Sequence, residues 1–250
     1  HPRAGEAVSV IMLWTTFAAR DLAAHALAVH GALERDDLPE ARRLVGRMVG
    51  RDVTSLSEAG VVRAAVESVA ENAVDGVTAP LFYAFLGGPV GAAAYKAVST
   101  LDSTFGYRNK QYARFGWASA RVDDGANLLP ARLTIVAELL AAALLGHSPA
   151  GMLRICLRDG RKYSSPNSGL AEAAMAGALG VQLGGPLAKG GHILVLPTLG
   201  DAHHPLAMSH IKQAVRIMAA TTMIWTGLLA GSRATMCAVA RAKAQRGQRP

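Results

Sequence analysis

The chain is short of charge. Asp, Glu, Lys and Arg make up 18% of its 250 residues, where an average soluble domain carries about a quarter. With 51% hydrophobic residues and a mean hydropathy of +0.23, too few polar side chains remain to cover an ordinary globular surface, so part of the chain must face something apolar. Aromatic residues are scarce at 5%, and no nucleic-acid module interrupts the pattern. Both weigh against nucleic-acid binding despite a net charge of +8. The two cysteines, Cys156 and Cys237, have no partner at metal-ligand spacing, which argues against a disulfide framework and for free thiols. Also absent are a Walker loop, a Gly-x-Gly-x-x-Gly unit, a His-Glu-x-x-His pair and a Gly-x-Ser-x-Gly elbow. Any nucleotide would have to be held by Mg²⁺ and scattered basic side chains.

What is present is a series of apolar stretches. Val8 to Leu33 is helix-like, but Arg20, Asp21, His25 and His30 interrupt it, which predicts a helix partly buried by protein. Residues 34–76 are polar, with helical periodicity in Leu38 to Val49 and in Val61 to Val69. Val77 to Leu101 is long enough to cross a bilayer, yet Gly87-Gly88-Pro89 sits at its middle. Proline removes a backbone donor and glycine loosens the helix, so the spacing predicts two half-helices folded back on each other rather than a straight span. The choice matters, because a hairpin brings the acidic residues before and after it to one side.

Further on, Leu133 to Leu153 reads as a helix with Glu138 inside it and a break at His147-Ser148-Pro149. Leu170 to Leu199 is apolar and repeats Leu-Gly-Gly-Pro at Leu183 to Pro186, a hint of a second hairpin for which chance is a fair alternative. Ile211 to Gly231 gives a last helix, followed by a basic tail over 233–250. The expected fold is all-α, a polytopic integral membrane protein with broken, re-entrant helical hairpins, in one helical domain over 1–250. Residues 34–76 and 102–132 would be the polar, site-forming segments. Arginine-rich connections place those loops on the cytoplasmic side of the plasma (inner) membrane. The chain opens on His1 rather than Met, which leaves room for an upstream segment.

Glu67, Glu71 and Asp75 stand at i, i+4 and i+8, which on a helix stacks three carboxylates along one face at the edge of an apolar segment. A solvated helix face is the plain reading; a cation or cationic substrate between them is the functional one. Asp102 follows the same segment, and Asp123-Asp124 with Asn127 comes next. Paired hard oxygen ligands suit Mg²⁺ completed by phosphate oxygens, although an Asp pair also starts helices. Facing them are Arg51, Lys96, Lys110, Arg132 and Lys162, cations able to hold phosphate or carboxylate. Lys96 lies within an apolar run, where an ammonium is expected to meet an anion. Ser165-Pro166-Asn167, ahead of Glu172, can start a helix and offer donors to an anion.

Taken in order, Val49-Gly50-Arg51-Asp52, Glu67-Ser68-x-x-Glu71-Asn72-x-x-Asp75-Gly76, Ala79-Pro80-Leu81, Thr100-Leu101-Asp102-Ser103 with Gly106-Tyr107, Asp123-Asp124-x-x-Asn127-x-x-Pro130-Ala131-Arg132 and Ser165-Pro166-Asn167 resemble the CobD/CbiB family. Ser99 and Tyr163 depart from the family's usual Asn and His, and members usually begin with a further apolar segment. The resemblance implies a membrane enzyme of cobalamin biosynthesis, adenosylcobinamide-phosphate synthase. Such an enzyme would use ATP and Mg²⁺ to join aminopropanol phosphate to a propionate of adenosylcobyric acid. On this reading Glu67, Glu71, Asp75 and Lys96 are catalytic and Asp102, Asp123 and Asp124 hold metal. Arg51, Lys110, Arg132, Lys162, Ser165 and Asn167 would bind substrate or phosphate. Lipid is the expected surroundings and a homo-oligomer is compatible. The competing reading is a corrinoid-binding or transport protein without ligase activity.

Overall fold

The computed structural model describes residues 2–106 and 113–247. Its helices are α1 (Pro2–Thr16), α2 (Ala19–Glu34), α3 (Leu38–Val45), α4 (Glu58–Ala73), α5 (Ala79–Phe105), α6 (Ala113–Leu144), α7 (Pro149–Asp159), α8 (Ser168–Leu179) and α9 (Ser209–Gly247). One antiparallel strand pair, β1 (Leu183–Lys189) and β2 (His192–Leu199), interrupts them. Four stretches, Gly5–Glu34, Glu58–Phe105, Arg114–Leu144 and Ser209–Val239, are long and apolar enough to cross a bilayer, and the architecture is that of an all-α membrane protein.

Helix α4 lies at the centre. Val61, Val62, Ala64, Ala65, Val66, Val69 and Ala70 are buried along it, so most of its length packs against other segments, and its last turn carries Glu71 to an open edge. Helices α2, α3, α8 and α9 pack around it. The outward faces are different. Val10 and Trp14 of α1, Val136, Leu140 and Leu144 of α6, and Met223 and Met236 of α9 are exposed, a distribution that suits lipid contact.

The apolar segment around Gly88 folds back on itself as expected. Gly88 adopts φ 62°, a conformation that costs glycine little and other residues much, and Pro89 starts the returning arm. The rings of Tyr83 and Tyr95 stack with centroids 5.0 Å apart and planes at 11°. Residues that far apart in sequence would be about 18 Å apart along a straight helix. The arms are so close that a Cβ on Gly91 would lie 2.5 Å from the Tyr83 carbonyl oxygen.

The join between α4 and α5 is a π-helical turn, Val74–Thr78. Such turns are rare and leave carbonyl oxygens open to partners from other segments. Here the Gly76 carbonyl accepts from the backbone N–H of Ala18 at 2.9 Å, and the Thr78 carbonyl accepts from the Trp225 indole at 3.0 Å. The first of these bonds explains a departure from the sequence reading. Val8 to Leu33 is not one helix: the chain breaks between α1 and α2, where the Ala18 amide serves the π turn.

The second Leu-Gly-Gly-Pro does not make a second helical hairpin. Gly180 ends α8 in the left-handed region, Gly184 and Gly185 follow with positive φ, and Leu183 to Leu199 form the β-hairpin. The same four residues bend a helix in one context and open a strand in the other, so they mark no repeat. The readable signal was Gly190-Gly191 between two runs of strand length.

Gly91→Ala is expected to lower stability by about 1–3 kcal/mol, because the Tyr83 backbone cannot yield as a side chain would. Gly87→Ala, with open space at its Cβ, should change it by much less. Thermal unfolding of both variants in detergent checks the difference.

Candidate active site

Because α5 reverses, Asp75 and Asp102 return to the same end of the hairpin, at nearly equal distances along the chain from Gly88. There they line a cavity of about 650 Å³ together with Glu71 of α4 and Asp123, Asp124 and Asn127 of α6. Ser164, Ser165 and Asn167 of the connection between α7 and α8, with Ser168 at the start of α8, close it. All the sequence-predicted acids except Glu67 thus come from three separate segments and meet in one place.

The polar side chains of the wall are tied together. The Tyr95 hydroxyl donates to Asn127 Oδ1 at 2.7 Å, and Asn127 Nδ2 donates to Asp123 Oδ2 at 3.1 Å. Asp123 Oδ1 is buried and has no hydrogen-bond partner among the described residues. An orphaned carboxylate oxygen beside a cavity is a place for a cation or a donor from a ligand. Asp124 is held from the other side: the Ser165 hydroxyl donates to its Oδ1 at 2.9 Å, and Asn167 Nδ2 donates to its backbone carbonyl at 2.8 Å. Arg132 donates to Asn167 Oδ1 at 3.3 Å. Asn167 starts α8 without capping it through its side chain, which is spent on α6 instead. Lys96, on the returning arm of α5, lies within electrostatic range of Asp75 and Asp123 and forms no ion pair among the described residues.

Other predicted residues sit elsewhere. Glu67 is buried and fully used. Its Oε2 takes Arg51 at 2.6 Å and its Oε1 accepts from the Gly184 amide at 2.7 Å, which fastens the loop before α4 and the start of β1 to the central helix. Lys162 pairs with Asp159 at 2.8 Å and donates to the Thr198 carbonyl. Neither Arg51 nor Lys162 lines the cavity. Lys110 and Tyr107 lie outside the described residues. The cation among the described lining residues is Arg121, 3.9 Å from Asp124.

Glu172 and Tyr95 are contributors that sequence reasoning did not single out. Glu172 is buried behind the cavity, and burial followed by the nearby Glu67 and Glu71 carboxylates pushes its carboxyl well above the usual range. The Tyr163 hydroxyl donates to it at 3.3 Å. Tyr95 could have been noticed as a hydroxyl inside an apolar arm. Among the described residues no group of three His, Cys, Asp or Glu side chains is arranged to hold a metal ion. An Mg²⁺ here would take one or two of these carboxylates and complete its shell with phosphate oxygens and water, which is its usual habit.

The profile of the CobD/Cbib protein family matches residues 1–218. The chain belongs to that family. Among its relatives, the cobalamin biosynthesis protein CobD of Geobacter metallireducens is 56% identical over 218 residues, covering 87% of this chain and 69% of that protein. CobD of Leptospira interrogans is 46% identical over 220 residues, 88% of this chain and 70% of the relative. The cobalamin biosynthesis protein CbiB of Salmonella typhimurium is 45% identical over 240 residues, 96% and 75% respectively. No solved structure matches the chain.

Outside the apolar spans, one buried carboxylate sets an acid limit on this family member. Asp159 has no exposed side-chain surface and accepts from Arg158, Lys162 and the Gly200 amide. The Arg158 guanidinium, then Lys162 and the amide, hold its carboxyl well below the ordinary range against the opposing effect of burial. A depressed folded-state value means that the stabilisation is complete above the unfolded carboxyl's pKa, about 3.9, and is lost as pH falls toward the folded value. Asp159→Asn should therefore cost about 1.5–3 kcal/mol at neutral pH and flatten the fall of melting temperature below about pH 4. Melting curves against pH check both.

Proposed function

We propose that the chain is an ATP-dependent amide ligase of cobalamin biosynthesis. It would attach aminopropanol phosphate to a propionate carboxylate of adenosylcobyric acid, giving adenosylcobinamide phosphate. The observation that carries this reading is the convergence of Glu71, Asp75, Asp102, Asp123 and Asp124 on one cavity inside an apolar body. Carboxylates gathered at such a place are costly unless they meet cations in use. Family membership and the names of the relatives support the pathway.

A carboxylate is a poor electrophile toward an amine, so the acid has to be activated. Its oxygen attacks the γ-phosphorus of ATP and ADP leaves, giving an acyl phosphate; the amine nitrogen then attacks the acyl carbon, and the C–O bond to phosphate breaks. The ammonium of the amino alcohol must first lose its proton. Glu71 and Asp75, which face the cavity, would accept it, and Lys96 on the hairpin arm would offset the charge of Asp75. One or two of Asp102, Asp123 and Asp124 would hold Mg²⁺, which would supply neutralisation of phosphate charge when bound. The Ser165 hydroxyl and the Asn167 amide fix Asp124 against α8, and Arg132 holds Asn167. Arg121 gives the cavity a charge that favours phosphate. A cavity of about 650 Å³ suits the amino-alcohol phosphate and the reacting end of a propionate, with the macrocycle at its mouth. The site would face the cytoplasm from the inner membrane.

The test is an assay of purified protein in detergent with adenosylcobyric acid, aminopropanol phosphate, ATP and Mg²⁺, read by mass spectrometry. The expected result is an ATP-dependent amide product whose rate falls at least about 100-fold in Asp124→Asn, with corrinoid binding kept. Corrinoid binding without product, in wild type as in the variant, would favour the binding or transport reading.

A further inference from the structure

The ligase chemistry uses the carboxylates of the cavity and Arg121 but gives no part to Trp117, the aromatic side chain among the described lining residues. The other hydrophobic residues of that lining, Val74, Ala120 and Ala171, are small. The Trp117 indole is largely exposed even though it borders a cavity. A tryptophan at the surface of a membrane protein is ordinarily an interfacial anchor, and Trp14 on the outward face of α1 fits that use.

The periodicity of α6 sets Trp117 apart. Val122, Leu129 and Val136 are exposed at seven-residue spacing and make the outward apolar stripe of the helix. Trp117 and Asp124 are seven residues apart as well, so they share a stripe to within about 20°. At about 3.6 residues per turn that second stripe lies roughly 150° round the helix from the first. The indole therefore goes with the site and not with the lipid-facing stripe. Arg121 stands between the two, 3.9 Å from Asp124. Burial falls along the same line: Asp123 and Asn127 are buried, whereas Arg121 and Trp117 reach the surface. From the interior outward the face carries carboxylates, a guanidinium and an indole, the last about 10 Å beyond Asp124. Phe115 packs edge-on against Phe105, ring centroids 5.3 Å apart, which fixes this end of α6 against the end of α5 near Asp102.

An indole face adds little to the binding of an amine or a phosphate, but it stacks on flat rings, and every nucleic base offers one. The order along α6 is also the order of groups along a nucleoside triphosphate, whose phosphates meet metal and cation while the base lies farther out. On the ligase reading, which requires ATP, we propose that the adenine of ATP stacks on Trp117, with Arg121 on the phosphates and the triphosphate end directed to Asp123 and Asp124. This gives the base a seat in a chain that has no glycine-rich nucleotide loop. Adenosylcobyric acid carries an adenine too but no phosphate for Arg121, which favours ATP as the source.

Calorimetric titrations of the full chain in detergent with Mg²⁺ test this, using ATP, inorganic tripolyphosphate and adenosylcobyric acid as ligands. Trp117→Ala and Trp117→Leu should each weaken ATP binding roughly 5- to 100-fold, and Trp117→Phe by less than about threefold. All three variants should bind tripolyphosphate and adenosylcobyric acid as wild type does. The indole is exposed, so their melting curves should match wild type; the split between the Leu and Phe variants separates stacking from plain packing. ATP binding unchanged in the Ala and Leu variants overturns the proposal and leaves the ligase reading standing if product still forms. Equal loss of ATP and tripolyphosphate also overturns it, as does loss of adenosylcobyric acid with ATP kept, which would seat the corrinoid on the indole instead. Wild-type protein that binds no ATP overturns the proposal and the ligase reading together.

Discussion

The stacking of Tyr83 on Tyr95 across the Gly88 reversal is the contact on which the site depends. It fixes how far the two arms of α5 travel before and after the turn, and so the level at which Asp75 and Asp102 emerge. The same two rings reach outward to α6, where the Tyr83 hydroxyl donates to the Ala126 carbonyl at 3.0 Å and the Tyr95 hydroxyl to Asn127. Hairpin closure and the placing of the Asp123-Asp124 pair are in this way one event. A straight α5 would carry Asp102 away from Asp75 and leave Asn127 without its donor.

Polar groups in this body fall into two kinds. Glu67 and Asp159 are buried and saturated with partners; each joins segments distant in sequence, and their charge is spent on holding the fold. Asp123 keeps an unsatisfied oxygen beside a cavity. A saturated carboxylate has nothing left for a ligand, whereas an open one costs free energy that a ligand can recover. That difference separates Glu67 from Glu71 and Asp75, although sequence spacing groups all three. Glu138 is a third case: both of its oxygens are buried without partners among the described residues, yet it lies outside the cavity lining.

Much of this was legible in the sequence. Gly87-Gly88-Pro89 inside an apolar run announced the reversal, because backbone conformation there is set by local chemistry. The acidic sets announced the site, because carboxylates at the edge of apolar segments stand out. What was not legible depends on pairings between remote residues. Nothing near Arg51 or Lys162 reveals that their partners are Glu67 and Asp159, so two structural cations read as anion clamps. The β-hairpin is missed when Leu183 to Leu199 is read with the apolar stretch that begins at Leu170, which passes over the turn signal at Gly190-Gly191. The break between α1 and α2 answers a carbonyl opened by a π turn, which no local pattern displays.

The reversal at Gly88 also bears on how the chain enters its membrane. Both arms lead back to the end where Asp75 and Asp102 stand, so the segment can insert as a pair from one side, tip first. The tip carries Leu86 and Val90, which are exposed and apolar, and no ionisable group. None of the acidic residues that flank the hairpin then has to be dragged through hydrocarbon, a passage that costs about 2.5–3.5 kcal/mol or more for each charge. The geometry that assembles the site spares the chain the worst barrier in its own biogenesis.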